Sequence, residues 1–133
     1  MAEPFWVEIV AADRRVWEGE AISVVARTTE GDIGLLARHE PVIAPLVPST
    51  AEVTTPDGRR EIVVVDGGFL SVTPTRVALI SPFAQLAHEI SLKEAEHELR
   101  EAQKALDGGD NSDEVRRHYQ RAQAQVRAVH LTA

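Results

Sequence analysis

The hydrophobic period of this chain changes once, near residue 87, and that change constrains the fold more than any motif does. Downstream of it, Leu92, Ala95, Leu99, Ala102 and Leu106 step by three and four. After the break at Gly108-Gly109, Val115, Tyr119, Ala122, Val126 and Val129 step by four and three. Such spacing lays one narrow apolar stripe on each of two helices. Ser91-Leu92-Lys93-Glu94 fits a capping box, in which Ser91 takes the N–H of Glu94 while the Glu94 side chain reaches back. A glycine at 108 or 109 suits the left-handed turn that closes a helix, and Asn111-Ser112-Asp113-Glu114 supplies a cap and an acidic first turn for the second helix.

Upstream the period is two. Phe5, Val7 and Ile9 alternate with Trp6, Glu8 and Val10, and Val16-Trp17-Glu18 follows the polar turn Asp13-Arg14-Arg15. Ile22, Val24 and Ala26 alternate with Ser23, Val25 and Arg27 as far as Thr28-Thr29-Glu30-Gly31. Further short runs lie at Ile33–Leu36 and Ala44–Val47, at Ala51–Thr55 and Arg60–Val65 around Pro56-Asp57-Gly58, and at Phe69–Thr73 and Arg76–Ile80 around Pro74-Thr75. Tight turns cannot join parallel neighbours, so this spacing predicts an antiparallel β-sandwich of about ten strands. The fold class expected is therefore β followed by α: a sandwich over residues 1–87 and a two-helix hairpin over 88–133, with Ser81–Ile90 as the connecting stretch. Alone in water, helices of roughly 16 to 19 residues are marginal, so the hairpin needs both its own pairing and a surface to dock on. Its stripes are rich in alanine, which makes a movable hairpin a physical alternative to a static one.

Composition narrows the function. With 44% hydrophobic residues the chain has material for a core, and with no cysteine it has no disulfide or thiolate chemistry. Met1-Ala2-Glu3-Pro4 lacks the basic start and apolar stretch of a signal peptide, and no apolar run approaches membrane-spanning length. A soluble protein that reaches membranes only through a partner is the expectation. The net charge of −7 argues against nucleic acid as a partner. That charge is uneven: residues 1–90 carry 13 acids against 7 bases, whereas from Ser112 onward four arginines outweigh two acids. The second helix is the one positive element, and Arg116, Arg117, Arg121 and Arg127 form a cluster suited to an acidic partner.

Catalytic patterns are wanting. His39, His88, His97, His118 and His130 form no zinc motif, so no metal is expected. Gly67-Gly68 follows Asp66 between β runs, where a bulge or tight bend is a better account than a phosphate loop. No nucleophile–base pair stands out.

Two segments carry a resemblance. Glu30-Gly31-Asp32-Ile33-Gly34-Leu35-Leu36 with His39-Glu40-Pro41, and Asp66-Gly67-Gly68-Phe69-Leu70, resemble the E-G-[DE]-[IL]-G-[IL]-L-P-x-H-x-P and [SD]-G-G-F-L segments of the epsilon subunit of F-type ATP synthase, in order and correctly separated. Phe5–Val10, Trp17–Ala21 and Gln125-Val126-Arg127 extend the likeness over nearly the whole chain. The resemblance implies a ten-stranded sandwich and a helical hairpin in a non-catalytic subunit of the rotor stalk, peripheral to the cytoplasmic side of the cell membrane. Its implied partners are the gamma subunit, the c-ring and the alpha/beta catalytic head. Proton-driven rotation would be coupled to ATP synthesis through it, and the hairpin would restrain ATP hydrolysis. By the same likeness Glu30, Asp32 and His39 would meet the c-ring, and Arg116, Arg117, Arg121 and Arg127 would approach an acidic segment of the beta subunit. A free-standing nucleotide-sensing or adaptor module of the same architecture is the alternative, and a small enzyme is a third class that lacks the residues.

The chain departs from the family pattern at Ala37, where a proline is usual, and at Pro48-Ser49, where a glycine is usual; both alter loop stiffness more than fold. ATP-binding members read I-D-x-x-R-A at the start of the first helix, where this chain has Ile90, Ser91, Glu94 and Ala95. Exchanging a cation for Glu94 where phosphates would lie repels the ligand, so no cofactor is expected. Calorimetric titration of the chain with ATP is expected to show no micromolar binding, and a micromolar isotherm would overturn that expectation.

Overall fold

Alternation in sequence becomes alternation in burial. Phe5, Val7 and Ile9 are buried while Trp6, Glu8 and Val10 face outward, and the same pattern recurs strand by strand. A computed structural model describes residues 2–132; Met1 and Ala133, the outer ends of the two expected segments, lie outside the described residues. Ten strands are present: β1 Phe5–Val10, β2 Arg15–Ala21, β3 Ser23–Thr28, β4 Gly31–Leu35, β5 Val42–Pro45, β6 Ser49–Thr54, β7 Arg60–Val65, β8 Phe69–Val72, β9 Arg76–Ile80 and β10 Ala84–Leu86. They form two five-stranded sheets in the orders β2-β1-β9-β8-β5 and β10-β7-β6-β3-β4. Val7, Ile9, Leu70 and Leu79 from the first sheet meet Val24, Leu35, Val53, Val63 and Val65 from the second in one core.

Where consecutive strands pair, as in β1–β2, β3–β4, β6–β7 and β8–β9, they do so antiparallel, as their short turns require, and the chain belongs to the sandwich class the periodicity predicts. One pairing is parallel: β1 lies beside β9, with Val7 opposite Val77. The turn argument covers only neighbours in sequence, and these two strands are joined by most of the sandwich. The stretch Ser81–Ile90 is also more than a linker. It contains β10, which pairs with β7 through Ala84–Val65 and Leu86–Val63, and a 3₁₀ turn at Ala87–Glu89.

Helix α1 runs over Leu92–Asp107 and α2 over Asp113–Thr132. Ser91 accepts the Glu94 N–H at 3.3 Å, which is half of the expected capping box; the reciprocal bond from the Glu94 side chain is not formed. Ser112 caps α2 in the same way through the Val115 N–H. Gly109 takes φ +95° and closes α1, with its N–H on Leu106 O.

Gly67 and Gly68 lie where the chain crosses from β7 in the second sheet to β8 in the first, at φ +80° and +95°. A Cβ on Gly68 would stand 2.0 Å from Ile80 O, whereas one on Gly109 would meet nothing within 4 Å. Gly68→Ala therefore faces backbone collision as well as an unfavourable φ, and is expected to destabilise the chain by about 3 kcal/mol, against about 1 kcal/mol for Gly109→Ala. Urea unfolding of both variants checks this, and equal losses would refute the steric account.

Candidate functional site

Strand β7 is covered on both faces. Val63 and Val65 point into the sandwich, while Ile62 and Val64 point out of it and are 3% and 0% exposed. Ala124 and Ala128 of α2 cover them, joined by Ala87, Phe83, Ile90 and Leu131 in a second apolar cluster. Methyl-sized side chains let the helix axis approach the sheet closely. Helix α1 does not touch this surface to any extent; it packs on α2 through a seam in which Ala95, Ala102 and Ala122 are buried. Helix α2 thus has two apolar stripes. The expected one, through Ala122, faces α1, and Ala124 and Ala128 make the other. The continuous apolar run Ile62-Val63-Val64-Val65 was the available signal for this dock, since an unalternating strand has both faces covered.

Polar contacts ring the dock. Arg121 donates to Asp66 Oδ2 at 3.4 Å and lies over the Phe83 ring, 5.1 Å from its centre. The Gln125 amide donates to Gln85 Oε1 at 3.0 Å, and Arg60 donates to Leu131 O at 3.1 Å. Between the helices, His118 Nε2 lies 2.8 Å from Glu98 Oε2. The Asp66 side chain is 9% exposed, and its second oxygen, Oδ1, is buried with no hydrogen-bond partner among the described residues. Its backbone is held in turn, because the Asp66 N–H donates to Ser81 Oγ at 3.1 Å.

The residues singled out from sequence are distributed differently from their expected grouping. Asp32 sits opposite Arg27 in the β3–β4 register and accepts from Arg27 Nε at 2.8 Å. That guanidinium holds the Asp32 carboxyl below the usual carboxylate range, and Arg127 adds to the effect through space. Asp32 and Arg127, expected to serve two different partners, line one cleft of about 650 Å³ between the outer face of the second sheet and the hairpin. Glu30 is exposed at the β3–β4 hairpin tip, and His39 lies past the opposite end of β4, where Nδ1 donates to Glu40 O at 2.7 Å. Five residues of strand, about 17 Å, separate them, so the three do not form one cluster. Arg38 holds the His39 loop at that far end through Glu3 and the Pro74 carbonyl.

Among the arginines, Arg116 pairs with Asp113 on its own helix and Arg121 turns inward to Asp66. Arg117 is exposed and makes no ion pair among the described residues. At the start of α1, Ile90 belongs to the dock, Ser91 is used as the cap, Glu94 is exposed and Ala95 is buried in the helix seam. Among the described residues no group of three or more His, Asp or Glu could hold a metal, and no helix is long and apolar enough to cross a membrane.

The outer face of the first sheet carries a further feature that the sequence reading missed. Pro45, Phe69, Ile80 and Val10 lie opposite one another in register on β5, β8, β9 and β1, a single row across four strands. Phe69 is 56% exposed, Ile80 48%, and the nearby Ile43 75%. Exposed apolar side chains that are contiguous, rather than scattered, mark an interaction face. Pairing brings these residues together from positions up to 70 apart, so no local pattern announces them.

Comparison with known proteins bears on what such a pair of faces serves. Residues 4–87 match the family model described as ATP synthase, Delta/Epsilon chain, beta-sandwich domain. The chain is 38% identical to the ATP synthase epsilon chain of Cutibacterium acnes, over 96% of this chain and 93% of that one. It is 42% identical to that of Streptomyces avermitilis, over 97% and 98% respectively. A chain in the cryo-EM structure of the Euglena gracilis mitochondrial ATP synthase (OSCP, F1 and c-ring, rotational state 1) shares the fold with a TM-score of 0.77 at 23% identity, covering 97% of this chain and 81% of that one. A match that spans the sandwich, and relatives alike along nearly their whole length, show that this chain belongs to the ATP synthase epsilon-chain family.

Proposed function

We propose that this chain is the non-catalytic central-stalk subunit of a proton-translocating F-type ATP synthase. In this reading residues 1–87 seat the chain on the gamma subunit and the c-ring, and the hairpin of residues 88–133 restrains ATP hydrolysis by the alpha/beta head. The chain transmits rotation and breaks no bond itself. It works on the cytoplasmic side of the cell membrane, held there by the complex.

The observation that carries the reading is the row Pro45, Phe69, Ile80 and Val10 with Ile43 beside it. A rotor subunit must grip a neighbour firmly enough to turn with it, and a flat apolar strand face does so by area. The gamma subunit is the proposed occupant of that face. Two structures of like fold come from assemblies described as F1 with c-ring and as central stalk with c-ring, the second, from Tetrahymena thermophila, at a TM-score of 0.56. On the other side, Glu30 at an exposed hairpin tip is available to basic groups of the c-ring, with Asp32 on β4 and His39 in the loop beyond that strand's far end. The hairpin suits regulation because α2 brings mainly alanines to its dock, ringed by a few partly exposed polar contacts. Exposed pairs of about 0.2–1 kcal/mol each are enough to shift its balance in the presence of an acidic partner.

Phe69→Glu and Ile80→Glu are expected to abolish co-purification of gamma with this chain while leaving its thermal unfolding nearly unchanged, because both side chains are already half in water. Retained gamma in both variants would overturn the assignment of this face. Replacing Arg116, Arg117 and Arg121 together with Ala is expected to raise ATP hydrolysis by the reconstituted complex, and an unchanged rate would remove the inhibitory role.

A further inference from the structure

Arg121 is the arginine of α2 that forms an ion pair with the sandwich, and the contact it makes there is incomplete. Its guanidinium reaches a single oxygen of Asp66 at 3.4 Å, a long charged contact. The other oxygen, Oδ1, is shut away from water with no partner among the described residues. A carboxylate that is nine-tenths buried with one oxygen unsatisfied holds its cation less firmly than one whose two oxygens are both bonded. Phe83, whose ring lies under the guanidinium, and the Ser81 hydroxyl, which accepts from the Asp66 N–H and donates to Phe83 O, hold the pair in place together with the Asp66 N–H bond to Phe83 O. Undocking α2 would hydrate both Asp66 oxygens and hand Arg121 to whatever acid lies within reach. Around the same cleft stand Asp113, Glu114, Arg117 and His118. Among the described residues Asp113 is paired with Arg116 and His118 with Glu98, so Arg117 is the one other cation at this cleft without an ion pair, and Arg121 is the one that reaches Asp66.

We propose that Asp66 is an internal decoy for Arg121: it holds the guanidinium while the hairpin is docked and competes for it with an acidic segment of the catalytic head. This rests on the inhibitory role proposed above and adds a consequence particular to this chain. Breaking the pair from its two ends must have opposite effects on hydrolysis. Without Asp66 the hairpin leaves the sandwich with its arginine intact, and inhibition strengthens. Without Arg121 the hairpin leaves too, but without the group that engages the head, and inhibition weakens.

The chain has no cysteine, so cysteines introduced at Pro56 and Thr132 label uniquely. These sites flank the contact between Arg60 and Leu131 O, so energy transfer between dyes there reports docking in the isolated full-length chain. Asp66→Asn, Phe83→Leu and Arg121→Ala are each expected to lower transfer, with the released-to-docked ratio rising on the order of threefold to fivefold. In the reconstituted complex, Asp66→Asn and Phe83→Leu are expected to lower ATP hydrolysis and Arg121→Ala to raise it. Unchanged transfer in Asp66→Asn and Arg121→Ala would overturn the proposal, as would hydrolysis shifts of the same sign. Phe83→Leu decides the matter if Asp66→Asn fails to fold, because it weakens the pair without touching either charge. Lowered transfer in all three variants, with hydrolysis unaltered in them and in the triple arginine variant, would keep the internal pair and overturn the inhibitory role instead.

Discussion

The contact of Ala124 and Ala128 with Ile62 and Val64 is the junction on which the arrangement of the whole molecule depends. The sandwich closes its own core without help, because inner-facing residues of both sheets meet at close packing. The hairpin cannot do the same. Helix α1 has a partner only in α2, and a helix of its length has little stability in water by itself. Both helices therefore depend on the dock of α2 against β7, β6 and the 3₁₀ turn, and β7 is buried on two sides.

The chemistry of that junction is light. Each alanine contributes about one methyl-sized increment of burial, on the order of 0.8 kcal/mol, and the polar contacts around it are partly exposed and worth little singly. A larger stripe of leucines would bind more tightly but would lift the helix from the sheet and leave no gradation between docked and lost. Charge follows the same division. The sandwich and α1 are acidic, and the positive groups of α2 are shared between internal carboxylates (Asp66 and, across the cleft, Asp32) and solvent. The opposite face of the sandwich is of another kind. The row through Phe69 and Ile80 is apolar and fixed by strand register, which suits a permanent grip, whereas the alanine dock suits one that can be undone.

Much of this was legible from local chemistry. Pro56-Asp57-Gly58 forms the turn it predicts, with Gly58 at φ +88°, and Ser91 and Ser112 cap the two helices. Strand existence follows from period two because each residue's neighbours two positions away share its face. Local patterns failed where a partner distant in sequence supplied the order. Ala84–Leu86 is too short to announce itself and is a strand only because β7 offers an unpaired edge. The alanines at 124 and 128 give little sign of the dock in sequence because a stripe of methyl groups carries a weak hydrophobic signal, and the unbroken Ile62–Val65 run is the local trace of it. The family likeness grouped Glu30, Asp32 and His39 by adjacency in sequence, and an extended strand carries Glu30 and His39 to opposite ends.

By itself the sequence determined most of the elements and their order: a succession of short strands, a change of period, two capped helices and a positive second helix in an acidic chain. Those properties depend on residues within one or two turns of each other, so they are written locally. Tertiary structure alone decided which strand is covered twice, which apolar side chains form a continuous exposed row, and that Arg121 faces Asp66 instead of solvent. The physical reason is that pairing across sheets and docking of a helix are set by the shape and packing of surfaces built from residues up to 70 positions apart, which no local period encodes.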